Sequence, residues 1–272
     1  MSESLSFPAE HALKLEPHLP PPPPSPLLPH NNNSDNDKPF VTLTFATSLD
    51  SSLALAPGVR TILSGPQSKA MTHFLRSRHA AICIGVGTAE ADDPGLNCRL
   101  ASSLHPPGGG TGHQPRPIVI DPHARWAMTE HAKVLQLARA GIGLAPFIVV
   151  CDGVEPPATT RELLERHGGK FIPVVADAGR FRWADVLAAV GREGLGSIMI
   201  EGGGQIINSL LTPPDCGLVD SVIVTIAPTW LGQGGVVVSP PRTAAAPLRL
   251  TEVSWHPLGE DVVLCGKILQ SA

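Results

Sequence analysis

The sequence predicts an α/β fold: a mainly parallel sheet flanked by helices, with antiparallel strands added at the C-terminal edge. Three observations predict it. Short apolar runs alternate with segments of helical period from residue 40 to residue 211, the pattern of strands joined through crossover helices. The runs are nearly continuous in Ile, Val and Leu, as at Ile118-Val119-Ile120, which suits strands buried on both faces. The last three runs follow one another with no helical segment between them.

Phe40-Val41-Thr42-Leu43-Thr44-Phe45-Ala46 mixes β-branched, aromatic and aliphatic residues and reads as the first strand. Over 66–78, Ala70, Met71, Phe74 and Leu75 fall on one helical face. A second buried strand is expected at 80–86 and a third at 118–120. Helix then alternates with strand through 130–140, 147–151, 161–167, 171–175 and 183–190. Ser197-Ile198-Met199-Ile200-Glu201 reads as a buried strand, after which Ile206, Ile207, Leu210 and Leu211 return at helix spacing. Strands near 219–227, 248–255 and 262–269 close the chain.

The chain has 272 residues, 42% hydrophobic and 16% charged, with a net charge of −4. That length allows one large domain or two small ones. The near-neutral charge, without a long basic run, argues against a nucleic-acid platform. No apolar segment approaches the roughly 20 residues of a membrane span, and the N-terminus lacks the basic start and apolar core of a secretory signal. Cys83, Cys98, Cys151, Cys216 and Cys265 are widely spaced with no CxxC pair. They read as reduced thiols of a cytosolic protein, and no metal site is expected. Many of the 29 prolines concentrate in 20–29, followed by a polar Asn and Asp tract. Such a segment buries too little apolar surface to fold alone. The expectation is therefore a disordered tail over 1–38 and one domain over 39–272.

Several nucleotide chemistries are excluded. Gly85-Val86-Gly87-Thr88 starts like a dinucleotide fingerprint but lacks the third glycine. No P-loop, HExxH or GxSxG is present, nor the paired motifs of a zinc deaminase. The chain contains no tyrosine, so a Tyr-Lys proton relay is ruled out. The strongest remaining signal is Glu201-Gly202-Gly203-Gly204 at a strand-to-helix junction. Open α/β sheets place ligands at the carboxyl ends of strands. Glycines there let backbone amides approach a ligand closely, and amides at a helix start suit a phosphate.

Taken together, Pro39 to Asp50, Gly85 to Arg99 and Glu201 to Gly204 resemble the pyrimidine reductases of riboflavin biosynthesis, which have a dihydrofolate-reductase-like fold. Gly58-Val59-Arg60-Thr61, Met71-Thr72-His73-Phe74-Leu75-Arg76 and Ala227-Pro228-Thr229-Trp230-Leu231-Gly232 add to the likeness, most of all to its fungal, stand-alone branch. The resemblance implies NADPH-dependent reduction of 2,5-diamino-6-(ribosylamino)pyrimidin-4(3H)-one 5′-phosphate to the ribitylamino compound, in the cytoplasm, by a homodimer. Bacterial relatives carry a zinc deaminase on the same chain; its lack here favours the diamino substrate.

Residue by residue, the resemblance implies cofactor contacts at Ala46, Thr88, Asp92, Gly202, Gly203, Gly204, Gln205 and Ile206. It implies substrate contacts at Arg76, Leu96, Arg99 and Glu201, with Asp50 added from the Ser-Leu-Asp motif. Arg76 and Arg99 suit a 5′-phosphate because a guanidinium pairs two oxygens at once. Arg125 is a candidate for a cofactor 2′-phosphate. No catalytic acid is assigned, although Asp50 or Glu201 would suit promotion of ring opening. The 102–114 loop reads as a Gly-rich insertion. Two other readings stay open at this point: a reductase of the deaminated pyrimidine or of a pterin, and a non-catalytic nucleotide-binding module.

Overall fold

The computed structural model describes residues 5–21, 38–101, 112–241 and 247–269. In chain order the helices are α1 (Ala9–Leu15), α2 (Pro66–Arg78), α3 (Val86–Asp92), α4 (Lys133–Arg139), α5 (Ala158–Arg166), α6 (Trp183–Arg192) and α7 (Gly204–Leu210). The strands begin with β1 (Phe40–Thr47), β2 (Ser52–Ala54), β3 (Ala81–Gly85), β4 (Arg116–Ile120), β5 (Phe147–Cys151) and β6 (Lys170–Val174). They continue with β7 (Ala176–Asp177), β8 (Arg180–Phe181), β9 (Ser197–Gly202), β10 (Ser221–Ile226), β11 (Val236–Val237), β12 (Leu250–Leu258) and β13 (Asp261–Ile268).

A nine-stranded sheet runs in the order β12-β13-β10-β1-β9-β3-β4-β5-β6. Every pairing from β10 through β6 is parallel, whereas β13 pairs antiparallel with both β10 and β12. This is the expected parallel sheet with an antiparallel edge. The β12–β13 link is only Gly259 and Glu260, too short to return a strand in parallel, so β13 runs back antiparallel to β12.

Burial on both faces follows from the strand sequences. In β9, Ile198 and Ile200 pack with Val186, Leu187 and Val190 of α6 and with Ile207 of α7 on one face. Met199 turns to the other face, against Met71 and Leu75 of α2. Beyond β3 that second face is completed by Ile82, Ile84, Ile148 and Val150 packed with Val134, Leu135, Leu163 and Leu164 of α4 and α5. Among the described residues no helix is long and apolar enough to cross a membrane.

Helix α2 forms over the expected 66–78. Pro66 occupies its first turn, where the missing N–H costs nothing. Asp261 closes the start by accepting from the Gly65 N–H (2.9 Å) and the Ser68 hydroxyl (2.6 Å). The end is set by His79, whose backbone is extended and whose Nδ1–H donates to the Leu75 carbonyl at 2.7 Å. Elsewhere the boundaries shift. Val86, expected to end a strand, opens α3, and the 130–140 helix is reduced to Lys133–Arg139. The short strands β2, β7, β8 and β11 have no periodicity to announce them.

The N-terminal expectation needs correction. Residues 5–21, assigned to a disordered tail, form α1 and a 3₁₀ turn (Glu16–His18) packed on the domain. Leu15 and Leu19 are buried with Met71, Leu75, Met199, Ile223 and Leu258. The physical reason is that this stretch, unlike the proline run after it, carries enough apolar surface to cover α2. The polar tract and most of the proline run lie outside the described residues, as does most of the 102–114 loop. Gln114 at its end holds the Cys98 backbone, donating to its carbonyl (3.1 Å) and accepting from its N–H (2.8 Å).

Candidate active site

The carboxyl ends of β1, β9 and β3 converge, and two hollows open there of about 590 Å³ and about 620 Å³. They share a wall made of Ala46, Leu53, Arg60, Thr61, Thr88, Asp92 and Glu201. Ala46 and Glu201 are the penultimate residues of β1 and β9, and Thr88 with Asp92 stands on α3 just after β3. The parallel register brings these distant segments together.

The first hollow is lined by the glycine turn, with Gln205, Ile206, Val236 and Gly87 beside it. Gly202 has φ +87° and Gly203 has φ +114° with ψ 145°, conformations that side chains strongly disfavour. A Cβ on Gly202 would stand 2.5 Å from Ile207 Cγ1, and one on Gly204 2.4 Å from Val236 Cγ1. At Gly203 the nearest atom would be Thr88 Oγ1, at 3.2 Å. The turn is thus a bare backbone cradle, closed in by Thr88 on one side and by apolar side chains on the other. A group needing close backbone approach and an apolar wall, such as a nicotinamide nucleotide, fits these residues. Of the expected cofactor residues, Ala46, Thr88, Asp92, Gly203, Gly204, Gln205 and Ile206 line this hollow, whereas Gly202 sits behind it and shapes the turn. Arg125 does not line it. Its guanidinium lies 3.6 Å from Glu90 and 3.8 Å from where a Cβ on Gly87 would stand, at the rim.

The second hollow is strongly charged. Arg60, Lys69, Arg76, Arg99 and Lys133 face Asp92, Asp93 and Glu201. Leu96 lines it with a positive φ of +50°, and its side chain is buried. Glu201 and Arg76 form a two-pronged pair: Nε donates to Oε1 at 2.8 Å and Nη2 to Oε2 at 2.7 Å. The third prong, Nη1, reaches the Asn97 carbonyl at 3.1 Å. Burial by itself would lower the pKa of Arg76, but the charge and hydrogen bonds of Glu201 outweigh it and hold the guanidinium more firmly protonated. The pair of oxygens that Arg76 grips therefore belongs to Glu201, not to a phosphate, and the guanidinium ties α2 to β9 and to the Leu96–Asn97 turn. Arg99 lies against His73, with Nε and Nη2 at 3.1 and 3.0 Å from the His73 Nε2. Burial first, then the charges of Arg76, Arg99 and Lys69, push His73 down to about 3. The ring is neutral near pH 7 and serves as an acceptor.

Asp50 does not join either hollow. Its carboxylate accepts from the Leu231 N–H (3.2 Å), the Gly232 N–H (2.7 Å) and the Ser48 hydroxyl. Those bonds, that to Ser48 foremost, hold its pKa below the usual carboxylate range. The expectation of a substrate contact there is corrected: Asp50 fastens the Trp230–Gly232 turn, which explains why the Ser-Leu-Asp and Thr-Trp-Leu-Gly motifs occur together. Sequence reasoning missed Arg60, Lys69, His73 and Lys133. Arg60 and His73 sit inside segments already noticed for their likeness to the fungal branch. Lys69 and Lys133 carry no local signal, since a surface lysine on a helix looks the same whether or not a hollow opens beside it.

Comparison with known proteins identifies the family. Residues 39–264 match the RibD C-terminal domain. A reviewed relative from Eremothecium gossypii, 2,5-diamino-6-ribosylamino-4(3H)-pyrimidinone 5′-phosphate reductase, is 41% identical over 232 residues, covering 85% of this chain and 88% of its own. The protein of the same name from Debaryomyces hansenii is 39% identical over 236 residues, covering 86% and 91%. The solved structure of the Saccharomyces cerevisiae riboflavin biosynthesis reductase Rib7 superposes with a TM-score of 0.73 at 32% identity, covering 96% of this chain and all of that one. A family match over residues 39–264, together with reductases up to 41% identical over most of both chains, shows that the chain belongs to the RibD C-terminal domain family of riboflavin-biosynthesis reductases.

Proposed function

We propose that this protein reduces 2,5-diamino-6-(ribosylamino)pyrimidin-4(3H)-one 5′-phosphate to its ribitylamino product, with NADPH as reductant. One observation carries the reading: two adjoining hollows, one floored by bare glycine backbone and one basic, share a wall that contains Glu201, Thr88 and Asp92. Such a shared wall brings two reactants edge to edge, which is the main service a protein renders to hydride chemistry.

In this reading Gly203, Gly204 and Gln205 offer backbone to the cofactor phosphates, while Ala46, Leu53 and Ile206 flank its ring. A nicotinamide held by these residues would supply the hydride for C1′ of the open-chain imine, whose nitrogen would take a proton. Glu201, fixed by Arg76, is an acceptor for substrate hydroxyl or amino groups at the junction. It does not swing, because both its oxygens are gripped. Arg99, Lys69, Lys133 and Arg60 supply positive charge for the 5′-phosphate. His73, neutral near pH 7, is not the proton donor. The preference for NADPH, and a homodimer, are carried from the family resemblance.

The experiment is a loss-of-NADPH assay with the diamino substrate and its deaminated counterpart in parallel, repeated with NADH. Rapid oxidation of NADPH with the diamino compound is expected. Oxidation confined to the deaminated compound would move the substrate assignment, and cofactor binding without turnover of either would leave a binding module.

A further inference from the structure

The substrate hollow rests on two segments: α2, which carries His73 and Arg76, and the loop that carries Arg99. Residues 5–21 lie across the outside of both. Leu5 pairs with Leu100 in a parallel bridge. Its N–H donates to the Arg99 carbonyl (2.9 Å), and its own carbonyl accepts from the Ala101 N–H (3.0 Å). The Phe7 ring stacks on Phe74 of α2, with centroids 5.1 Å apart. Farther along, Leu15 and Leu19 bury against Met71 and Leu75, and Arg78 of α2 bonds to the Glu16 carboxylate and to the Pro20 carbonyl.

Two kinds of contact are present in this strap. The Leu15 and Leu19 contacts bury apolar surface and would stabilise any helix beneath them. The Leu5 bridge is different, because it buries little and instead grips the main chain on both sides of Leu100. Backbone hydrogen bonds at Arg99 and Ala101 fix the direction in which Arg99 leaves the chain. The side chain is then met from within by His73. Arg99 is thus held at its carbonyl by Leu5 from outside the hollow, and at its N–H (3.1 Å) and its guanidinium by His73 from inside.

We infer that Leu5, supported by Phe7, is a positioning residue for substrate binding: its backbone bridge to the Arg99–Ala101 segment sets where the Arg99 guanidinium stands in the charged hollow. This rests on the reading that the hollow takes the phosphorylated substrate. No strap residue lines either hollow, so the effect passes through Arg99 and spares the cofactor side.

The test uses the full chain with four substitutions: Leu5→Pro, which removes the donating N–H; Leu5→Val, which keeps it; Leu15→Ala, which weakens only the apolar contact; and Arg99→Gln as reference. Substrate KM, kcat, cofactor Kd and Tm are measured for each. Leu5→Pro is expected to raise KM about fivefold, the equivalent of one hydrogen bond of ~1 kcal/mol, with kcat and cofactor Kd unchanged. Leu5→Val restores the KM, and Leu15→Ala lowers Tm without touching it. Should Leu5→Pro fail to fold, removal of residues 1–7, which spares α1, carries the same expectation. A raised KM for Arg99→Gln alongside an unchanged KM for the Leu5→Pro or truncated chain overturns the inference and leaves the functional reading standing. An unchanged KM for Arg99→Gln overturns the role given to Arg99 and the inference with it.

Discussion

Replacing Glu201 by Gln changes one atom and removes one charge at the wall between the two hollows. The carboxylate receives two charge-assisted bonds from Arg76, at 2.8 and 2.7 Å. Glutamine keeps one acceptor but presents an NH₂ group to the other Arg76 donor, so one bond weakens and the second becomes a donor facing a donor. The side chains are only 14% and 19% exposed, which leaves water little room to repair the loss. A lost bond to a charged group is worth about 1.5–3 kcal/mol, so the net destabilisation should be roughly 2–3 kcal/mol. For a domain of this size that corresponds to a fall in Tm of about 4–12 °C. Arg76 lines only the substrate hollow whereas Glu201 also borders the cofactor hollow, so substrate KM should rise and any loss of cofactor affinity should be the smaller effect. Thermal unfolding, cofactor titration and steady-state kinetics on one preparation separate these effects. A cycle with Arg76→Gln and the double variant should return a coupling energy of about 2 kcal/mol, as for residues that share one network. Wild-type Tm and KM in Glu201→Gln would refute the reasoning, because the pair would then hold nothing together.

Three further outcomes are expected. Gly203→Val should fold, by circular dichroism, yet lose cofactor binding in a titration, since φ +114° is forbidden to a β-branched residue and its Cβ would crowd Thr88; normal binding would show that the turn is only structural. Stability should fall as pH drops from about 6.5 toward 4, because His73 and His79 are held neutral by burial, at about 3 and about 4, whereas the unfolded chain takes up both protons. The slope in that window should approach two protons, on the order of 2–3 kcal/mol per pH unit, and urea unfolding at successive pH values checks it, a flat profile counting against the buried neutral rings. Leu15→Ala should cost about 2–4 kcal/mol by cavity formation, which a shifted denaturant midpoint would reveal; an unchanged midpoint would mean that α1 does not dock in solution.

The sequence alone determined the sheet and most of its crossover helices. Continuous apolar runs such as 147–151 and the 3.6-residue period over 66–78 are local signals, and burial on two faces leaves each only one way to pack. It also located the glycine cradle, because consecutive glycines after a strand are costly unless backbone must be bare. What the sequence left undecided depends on which distant segments meet. Arg76 looked like a phosphate ligand until its two prongs were found on Glu201, 125 positions away in the chain. Asp50 looked like a site residue until Leu231 and Gly232 took its oxygens. The docking of residues 5–21 was hidden because Leu15 and Leu19 are too few to signal a core by themselves and gain their burial only from a surface that α2 and the sheet create. A charged side chain declares its chemistry in the sequence, but its partner is chosen by tertiary structure, since only there do desolvation and distance decide which opposite charge it meets.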